Sequence, residues 1–144
     1  MKIKVIYHSS TGNTKKIAEI IASAVNVSAE AITENYKLSE PIDLLFIGDG
    51  IYAGRMNKKT KAFIDTLDSS LVLNAAVFGT YGGEDKVIIT ITSILKDKGI
   101  NVCSENFACK GKAWLFANRN HPDKTDLDNA ANFANNIVES IKNN

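Results

Sequence analysis

The amino-acid sequence predicts an α/β domain in which one doubly wound parallel sheet lies between two layers of helices. Three observations support this prediction. Hydrophobic residues alternate between the spacing of strands and the spacing of helices, and the predicted central strands are nearly unbroken apolar runs. The length of 144 residues suits one domain with its own core. We therefore expect residues 1–144 to form a single three-layer domain with five strands.

Each predicted element follows from its own pattern. Asp43–Gly48 is almost continuously apolar, as in a strand covered on both faces. Ile17, Ile20 and Ile21 repeat at helical spacing, and Gly99 is a typical helix stop. The predicted strands are Lys2–Tyr7, Ala29–Ile32, Asp43–Gly48, Leu71–Phe78 and Ile100–Phe107, and the predicted helices are Thr14–Val25, Lys58–Leu67, Glu84–Lys98 and Lys124–Lys142.

Composition and charge exclude several classes of protein. A chain with 44% hydrophobic and 23% charged residues is neither disordered nor a disulfide scaffold. A net charge of +1 gives no electrostatic reason to expect nucleic acid or an anionic membrane as a partner. Cys103 and Cys109 are too far apart for a redox Cys-x-x-Cys pair or a zinc knuckle, so we expect ordinary core thiols and no metal. With no apolar signal segment or membrane span, we expect a cytoplasmic protein.

A polar segment directly after the first predicted strand enters the first predicted helix. Its hydroxyl and amide donors, its glycine and the positive end of the helix dipole predict a cradle for a phosphate group. Lys15 and Lys16 come later and are expected to project from the helix. The dipole supplies at most about 2 kcal/mol, so neutral hydrogen bonds must hold the anion. The residues of this segment, called the phosphate loop, are Ser9, Ser10, Thr11, Gly12, Asn13 and Thr14.

Other phosphate-binding motifs fit this loop poorly. It has neither the Gly-x-Gly-x-x-Gly spacing of dinucleotide-binding folds nor the Gly-Lys-Thr of nucleoside triphosphate sites. Tyr7, His8 and Ser9 stand where a receiver domain would carry acidic residues. We interpret the loop as a site for a lone phosphate on a group that does not itself react. The alternative is a Ser/Thr-rich helix cap without a ligand.

The phosphate loop resembles the Thr-x-Thr-Gly-Asn-Thr loop of the flavodoxins. Gly48–Met56, the first flavin loop, and Phe78–Glu84, the second flavin loop, are similar to the two loops that enclose the flavin in that family. The resemblance covers the whole chain, and the short passage from the fifth strand to the last helix resembles the short-chain members. It implies the strand order 2-1-3-4-5 and one noncovalent flavin mononucleotide (FMN).

The resemblance also implies which residues bind FMN. The phosphate would lie in the phosphate loop and the isoalloxazine ring between the two flavin loops. We expect Tyr81 to stack on the ring, and Tyr52 to do so unless Ile51 supplies an aliphatic wall instead; the alternative for both tyrosines is to cap the edge of the core. Trp114 lies elsewhere in the sequence. The ring-binding residues are expected to be Gly50, Ile51, Tyr52, Ala53, Gly54, Thr80, Tyr81, Gly82 and Gly83.

Glycine in the first flavin loop suggests how the flavin states are tuned. N5 of a flavin changes from hydrogen-bond acceptor to donor when it takes up one electron and a proton, so a protein that favours the semiquinone must present a carbonyl there. Gly50 and Gly54 tolerate the positive φ that a peptide flip requires. By resemblance, we expect the flip at the Ala53–Gly54 peptide.

Basic residues follow the first flavin loop, where typical flavodoxins are acidic. Arg55, Lys58, Lys59 and Lys61 are offset locally only by Asp49. Positive charge near the flavin predicts a less negative hydroquinone couple than that of an acidic flavodoxin, and a partner surface not dominated by basic patches. The alternative is a solvated helix face that points away from the flavin.

The leading functional hypothesis is an FMN-containing carrier that shuttles single electrons, through semiquinone and hydroquinone states, between a reductase and an acceptor protein. The rival hypothesis is an FMN-dependent reductase of a small organic acceptor such as a quinone, and a third is a non-redox module for a phosphorylated ligand. No nucleophile and base share a motif, so we assign no catalytic residues. We expect a monomer without membrane insertion. His8 is expected to end its strand, and the alternative is that it touches the edge of the ligand. His121, before Pro122, is expected to start the last helix.

Overall fold

The computed structural model describes residues 1–50, 55–81, 86–111 and 121–144. Within these ranges strands alternate with helices, as the sequence predicts. The strands are β1 (Ile3–Tyr7), β2 (Ala29–Ala31), β3 (Ile42–Gly50), β4 (Val72–Tyr81), β5 (Asn101–Val102) and β6 (Phe107–Lys110). The helices are α1 (Asn13–Ala24), α2 (Lys58–Asp65), α3 (Lys86–Asp97) and α4 (Lys124–Lys142).

The strands form one parallel sheet in the order β2-β1-β3-β4-β5, with β6 also paired to β4. The doubly wound α/β fold and its strand order are therefore confirmed. In the centre of the sheet Tyr7 lies beside Gly48 and Gly48 beside Phe78, so β1, β3 and β4 end close together. This edge, where the parallel strands end, is called the carboxyl edge.

The fifth strand position differs from the continuous strand predicted over Ile100–Phe107. It consists of two short segments, β5 beside Asn74 and Ala75 and β6 beside the end of β4. The amide of Cys103 still donates to the carbonyl of Ala75 at 2.8 Å, and the exposed polar residues 104–106 then interrupt the pairing. Polar side chains at the edge of a sheet are not stabilised by burial. The apolar sequence therefore resumes only after these exposed residues, at Phe107.

The sheet is covered on both faces, and adjacent residues of β3 show this directly. Leu44 packs with α1 and α4, while Leu45 packs with α2 and α3, and both side chains are fully buried. Ile17 of α1 and Phe133 of α4 lie in the same core as Leu44, and Ile91 of α3 lies in the core that contains Leu45. The nearly continuous apolar sequence of β3 therefore reflects burial on both sides.

The helix termini follow local capping rules. Asn57 precedes α2, and its side chain accepts a hydrogen bond from the amide of Lys59. Gly99 follows α3 with φ of +77°, which confirms it as the stop. Asp123 and Asp126 form a reciprocal capping box at the start of α4. In the described ranges no helix has both the length and the apolar character needed to cross a membrane.

Candidate functional site

The carboxyl edge provides a crevice between β1 and β3. The chain leaves β1 for α1 on one face of the sheet and leaves β3 for α2 on the other face, so the two connections diverge at this point. In open α/β sheets ligands bind where the connections diverge in this way. The phosphate loop and the first flavin loop begin on the two sides of this crevice.

The phosphate loop turns tightly and opens onto the first turn of α1. Gly12 is the N-cap residue with φ of +90°, and its amide donates to Oγ of Ser9 at 3.0 Å. Asn13 donates from Nδ2 to Oγ1 of Thr11 at 2.9 Å, which fixes the loop from within. Gly12 has no side chain to cap the helix, and a Cβ added there would meet no atom within 4 Å. The amides at the positive end of a helix suit an anion.

A buried pair of hydroxyl groups joins the phosphate loop to the second flavin loop. Thr14 Oγ1 and Thr80 Oγ1 lie 2.8 Å apart, and both residues are buried. Thr14 belongs to the first turn of α1, and Thr80 lies near the end of β4, so the contact crosses the site. Each hydroxyl can donate and accept, and the one that accepts in this pair keeps a proton for a further bond.

Asp49 provides a polar centre that the sequence analysis treated only as a local negative charge. Its side chain is fully buried, near the end of β3. One carboxylate oxygen accepts from the amide of Gly50 at 2.7 Å, and the other accepts from the amide of Asn57 at 3.1 Å. Because Asn57 caps α2, this one carboxylate holds both the start of the first flavin loop and the start of the following helix.

His8 contributes a third hydrogen bond to the same carboxylate. Its Nδ1 lies 3.1 Å from Asp49 Oδ1, and its side chain is 13% exposed. Because Asp49 already accepts two amide hydrogen bonds, we assign the donor role in this contact to Nδ1. The prediction that His8 merely ends the strand is therefore incomplete. The feature that could have predicted this contact is the parallel register of β1 and β3, which places residue 8 beside residue 49 once Tyr7 lies beside Gly48.

Three glycines let neighbouring strands and helices approach closely at this edge. A Cβ at Gly48 would lie 2.1 Å from the ring of Phe78, and one at Gly79 would lie 2.7 Å from Val87. A Cβ at Gly111, just after β6, would lie 3.0 Å from Nδ2 of Asn13 and 3.2 Å from Thr80. Gly111 could not be predicted as a residue of this site from the sequence, since only the pairing of β6 with β4 brings it beside the phosphate loop.

The predicted ring-binding residues are only partly covered by the structure. Gly50 and Thr80 lie side by side as partners of β3 and β4, so they belong to strand ends rather than to free loops. Tyr81 is the last residue of β4 and is half-buried, and its carbonyl accepts from the amide of Gly111 at 2.9 Å. The remaining predicted ring-binding residues lie outside the described residues: Ile51, Tyr52, Ala53, Gly54, Gly82 and Gly83.

The basic residues after the first flavin loop are exposed. Arg55, Lys58 and Lys59 precede or begin α2, and the first turn of this helix carries no acidic residue. Lys61 pairs with Asp65 at 2.6 Å, one turn further along the helix. Asp49, the charge expected to offset this segment, is buried and occupied by its own hydrogen bonds. The ion pair with Asp65 therefore offsets the charge of Lys61, which the sequence alone left to Asp49, while Arg55, Lys58 and Lys59 stay exposed.

The cysteines and the second histidine have structural roles. Burial raises the pKa of the Cys109 thiol to about 12 and also raises that of Cys103, as expected for unreactive core thiols. His121 Nδ1 lies 2.7 Å from Asp126 Oδ2, inside the capping box of α4. Ligand atoms of His121, Asp123 and Asp126 lie within 4.8 Å of one another, but the hydrogen bonds of the helix start account for this cluster.

Comparisons with known proteins agree with this geometry. The Flavodoxin domain family matches residues 4–114. An uncharacterized protein of Methanocaldococcus jannaschii is 32% identical, with 97% of this chain and all of that protein covered. A flavodoxin of Clostridium saccharobutylicum is 28% identical, with 99% of this chain and 98% of that protein covered. The solved structure of a flavodoxin from the domain Archaea covers 99% of both chains with 25% identity and a TM-score of 0.81. The chain belongs to the flavodoxin family.

Proposed function

We propose that the protein binds FMN at the carboxyl edge and carries single electrons between redox proteins. The observation that supports this most directly is the tight turn into α1 at Gly12, where φ is +90° and an added Cβ would meet no atom within 4 Å. Hydroxyl and amide groups surround it, and they suit a phosphate ester held without counter-charge. The donor set therefore fits the phosphate of FMN, and membership of the flavodoxin family favours this cofactor.

The residues that hold FMN in this proposal come from all three loops. The phosphate loop holds the phosphate, and the strand ends at Gly50 and Thr80 lie where the ring system would enter. Tyr52 and Tyr81 are the proposed stacking residues, while Asp49 and His8 lie near the ends of β3 and β1. Bound FMN supplies one-electron and two-electron redox chemistry. The protein fixes its position, and its own described residues provide no nucleophile with an adjacent base.

The carrier role is favoured by the span of the chain. It covers nearly the whole length of a relative that is named a flavodoxin. The proposed unit is one domain, residues 1–144, and we propose that it acts as a monomer. The electrons would come from a reductase and pass to an acceptor protein. Nucleic acid and membranes are not proposed as partners. The unpaired thiols Cys103 and Cys109 fit our proposal of a cytoplasmic location.

A stepwise reduction of the FMN-loaded protein tests the carrier role. The visible spectrum is recorded under anaerobic conditions while dithionite is added in small portions. A carrier accumulates a one-electron-reduced flavin near half reduction. Direct conversion of the oxidised to the fully reduced form would contradict the proposal. It would instead favour a two-electron reductase of a small acceptor such as a quinone.

A glycine variant connects this titration to the first flavin loop. Replacing Gly54 by valine is expected to reduce the one-electron-reduced form, because the Ala53–Gly54 peptide is the proposed site of the flip. Gly99→Val is the control, since Gly99 has positive φ and lies at the end of α3, away from the first flavin loop. An unchanged titration for Gly54→Val would remove this peptide from the proposal.

A further inference from the structure

We infer that exposed cations beside the carboxyl edge form a docking surface for an electron-transfer protein whose own surface is acidic. This inference rests on the proposed carrier role and names the chemistry of the partner. The cations flank the candidate FMN site from two sides, at the start of α2 and at the end of β6. They are called the basic surface, and all four are exposed: Arg55, Lys58, Lys59 and Lys110.

Strand pairing brings both parts of the basic surface to the same edge of the sheet. At Thr80, β4 pairs with Gly50 of β3 on one side and with Cys109 of β6 on the other. Neighbouring strands lie about 4.8 Å apart, so the ends of β3 and β6 are separated by about 10 Å. The start of α2 is held to β3 by the hydrogen bond between Asn57 and Asp49. A partner at this edge therefore meets positive charge on both sides of the proposed flavin site.

Lys110 lies on the face of the sheet that α2 and α3 cover. Side chains alternate along a strand, so Lys110 shares a face with Ala108, which packs against the core formed with these two helices. The residue paired with Lys110 in the register is Tyr81, the proposed stacking residue. Lys110 thus lies next to Tyr81, on the same side of the sheet as the lysines of α2.

The placement of the lysines in α2 does not stabilise the helix. Positive charge is unfavourable at the start of a helix and favourable at its end. However, α2 begins with Lys58 and Lys59, ends with Asp65, and has no acidic residue in its first turn. In contrast, α4 has the favourable arrangement, with Asp126 in its first turn and Lys142 in its last. The charges at the start of α2 therefore favour an anionic partner from outside the helix.

The start of α2 suits the surface of a protein better than a small anion. The amide of Lys59 donates to Oδ1 of Asn57 at 2.9 Å, and the amide of Asn57 donates to Asp49 at 3.1 Å. Because these backbone donors are occupied, the positive charge is presented by long exposed side chains. Such charges act over about 10 Å at about 0.1 M salt and steer the approach of a large charged partner.

Few carboxylates are available to neutralise the basic surface. Among the described residues, none of its four cations forms an ion pair, and Asp49 is buried and occupied by its own hydrogen bonds. The second flavin loop carries Glu84 and Asp85, which lie outside the described residues. Four cations against these two acids still give a positive balance. We therefore expect the partner to present carboxylates around its own redox centre.

Electron transfer to two haem proteins of opposite charge tests this inference. The FMN-loaded protein is reduced with dithionite, freed of excess reductant and mixed rapidly with ferric cytochrome b5, which is acidic, or ferric cytochrome c, which is basic. One electron passes from the reduced flavin to the haem iron, which becomes ferrous. Between about 20 and about 200 mM sodium chloride, we expect the rate constant with cytochrome b5 to fall about tenfold. The rate constant with cytochrome c should not fall.

Two double variants with the same change of charge locate the surface. Lys59→Gln with Lys110→Gln removes one cation from each side of the site and should lower the low-salt rate constant with cytochrome b5 about fivefold. Lys96→Gln with Lys142→Gln removes two lysines from the last turns of α3 and α4 and should keep this rate constant within twofold. Because a change of charge also alters the flavin potential, the variants are compared by the ratio of the rate constants for cytochrome b5 and cytochrome c.

The outcomes are distinct. If the protein binds no FMN, or is reduced directly by two electrons, the proposed function fails and the inference fails with it. If it is a one-electron carrier whose reaction with cytochrome b5 is independent of salt or becomes faster with salt, only the docking surface is overturned. A carrier that reacts with neither haem protein would also overturn it, and so would equal ratios in the two double variants. Titration of each variant with FMN shows that it is folded.

Discussion

The two histidines make the same contact in two different regions of the molecule. His8 bonds to Asp49, which lies 41 residues away on a neighbouring strand and is fully buried. His121 bonds to Asp126, which lies five residues away in the first turn of α4 and stays partly exposed. The first pair joins two loops of the candidate site. The second completes a local capping box at the start of α4.

The difference reflects how hydrogen bonds stabilise each region. A helix start is stabilised by neighbours in sequence, so its hydrogen bonds form wherever the helix forms. Local hydrogen bonds shape each loop of the carboxyl edge, but they cannot join loops that leave from separate strands and meet only in the folded sheet. Buried contacts between distant residues, such as Asp49 with His8 and Thr14 with Thr80, take the place of local caps there.

Truncating the two aspartates should give the largest contrast. Asp49→Ala leaves the amides of Gly50 and Asn57 and the His8 ring without their acceptor, so we expect a loss of about 3 kcal/mol in the free energy of unfolding. Asp126→Ala removes one arm of a capping box and should cost about 1 kcal/mol. Urea unfolding of both variants without cofactor measures the difference. Equal losses would show that the buried network is no stronger than the cap.

Two glycines extend the comparison to cofactor affinity. Gly111→Ala places a Cβ 3.0 Å from Nδ2 of Asn13, so it should displace the phosphate loop and raise the dissociation constant for FMN about tenfold. Gly99→Ala is strained by its φ of +77° but has only Ser69 nearby, at 3.7 Å. It should cost about 1 kcal/mol of stability and leave FMN binding within twofold. Titration with FMN and thermal unfolding distinguish the two effects.

Charge near the site should affect the potential of bound FMN. In the double variant Lys58→Gln with Lys59→Gln, we expect the potential of the fully reduced state to fall by on the order of 20 mV per charge, for charges about 10 Å away with salt screening. Lys96→Gln with Lys142→Gln removes two lysines from the last turns of α3 and α4 and serves as the control. Equal shifts in both double variants would place the basic segment away from the flavin.

The local pair at α4 should respond to acid. Burial alone would raise the pKa of Asp126, but hydrogen bonds from His121 and the amide of Asp123 outweigh it, and the pKa is lowered from 3.8. A lowered pKa in the folded state means stabilisation that is present above the ordinary value and is lost as pH falls through the folded value. The difference in Tm between the natural sequence and Asp126→Asn should therefore be a few degrees at pH 7 and narrow below about pH 4. An unchanged difference would contradict this assignment.

The sequence was sufficient for the fold and for part of the site. Periodicity identified α4 with its exact bounds, and the apolar run of β3 identified the buried centre of the sheet. The break between β5 and β6 was missed because apolar residues continue on both sides of a short polar segment. The contacts of His8 with Asp49 and of Gly111 with Asn13 depend on register between strands, which no local pattern encodes.

Titration of the purified protein, without cofactor, with FMN tests the central claim most directly. We expect FMN to bind at a single site per chain. Binding should quench the fluorescence of the flavin and release heat. We also expect riboflavin without its phosphate to bind more weakly, because the amides behind Gly12 then lack an anion. Absence of binding, or equal affinity for FMN and riboflavin, would contradict an FMN site built on the start of α1.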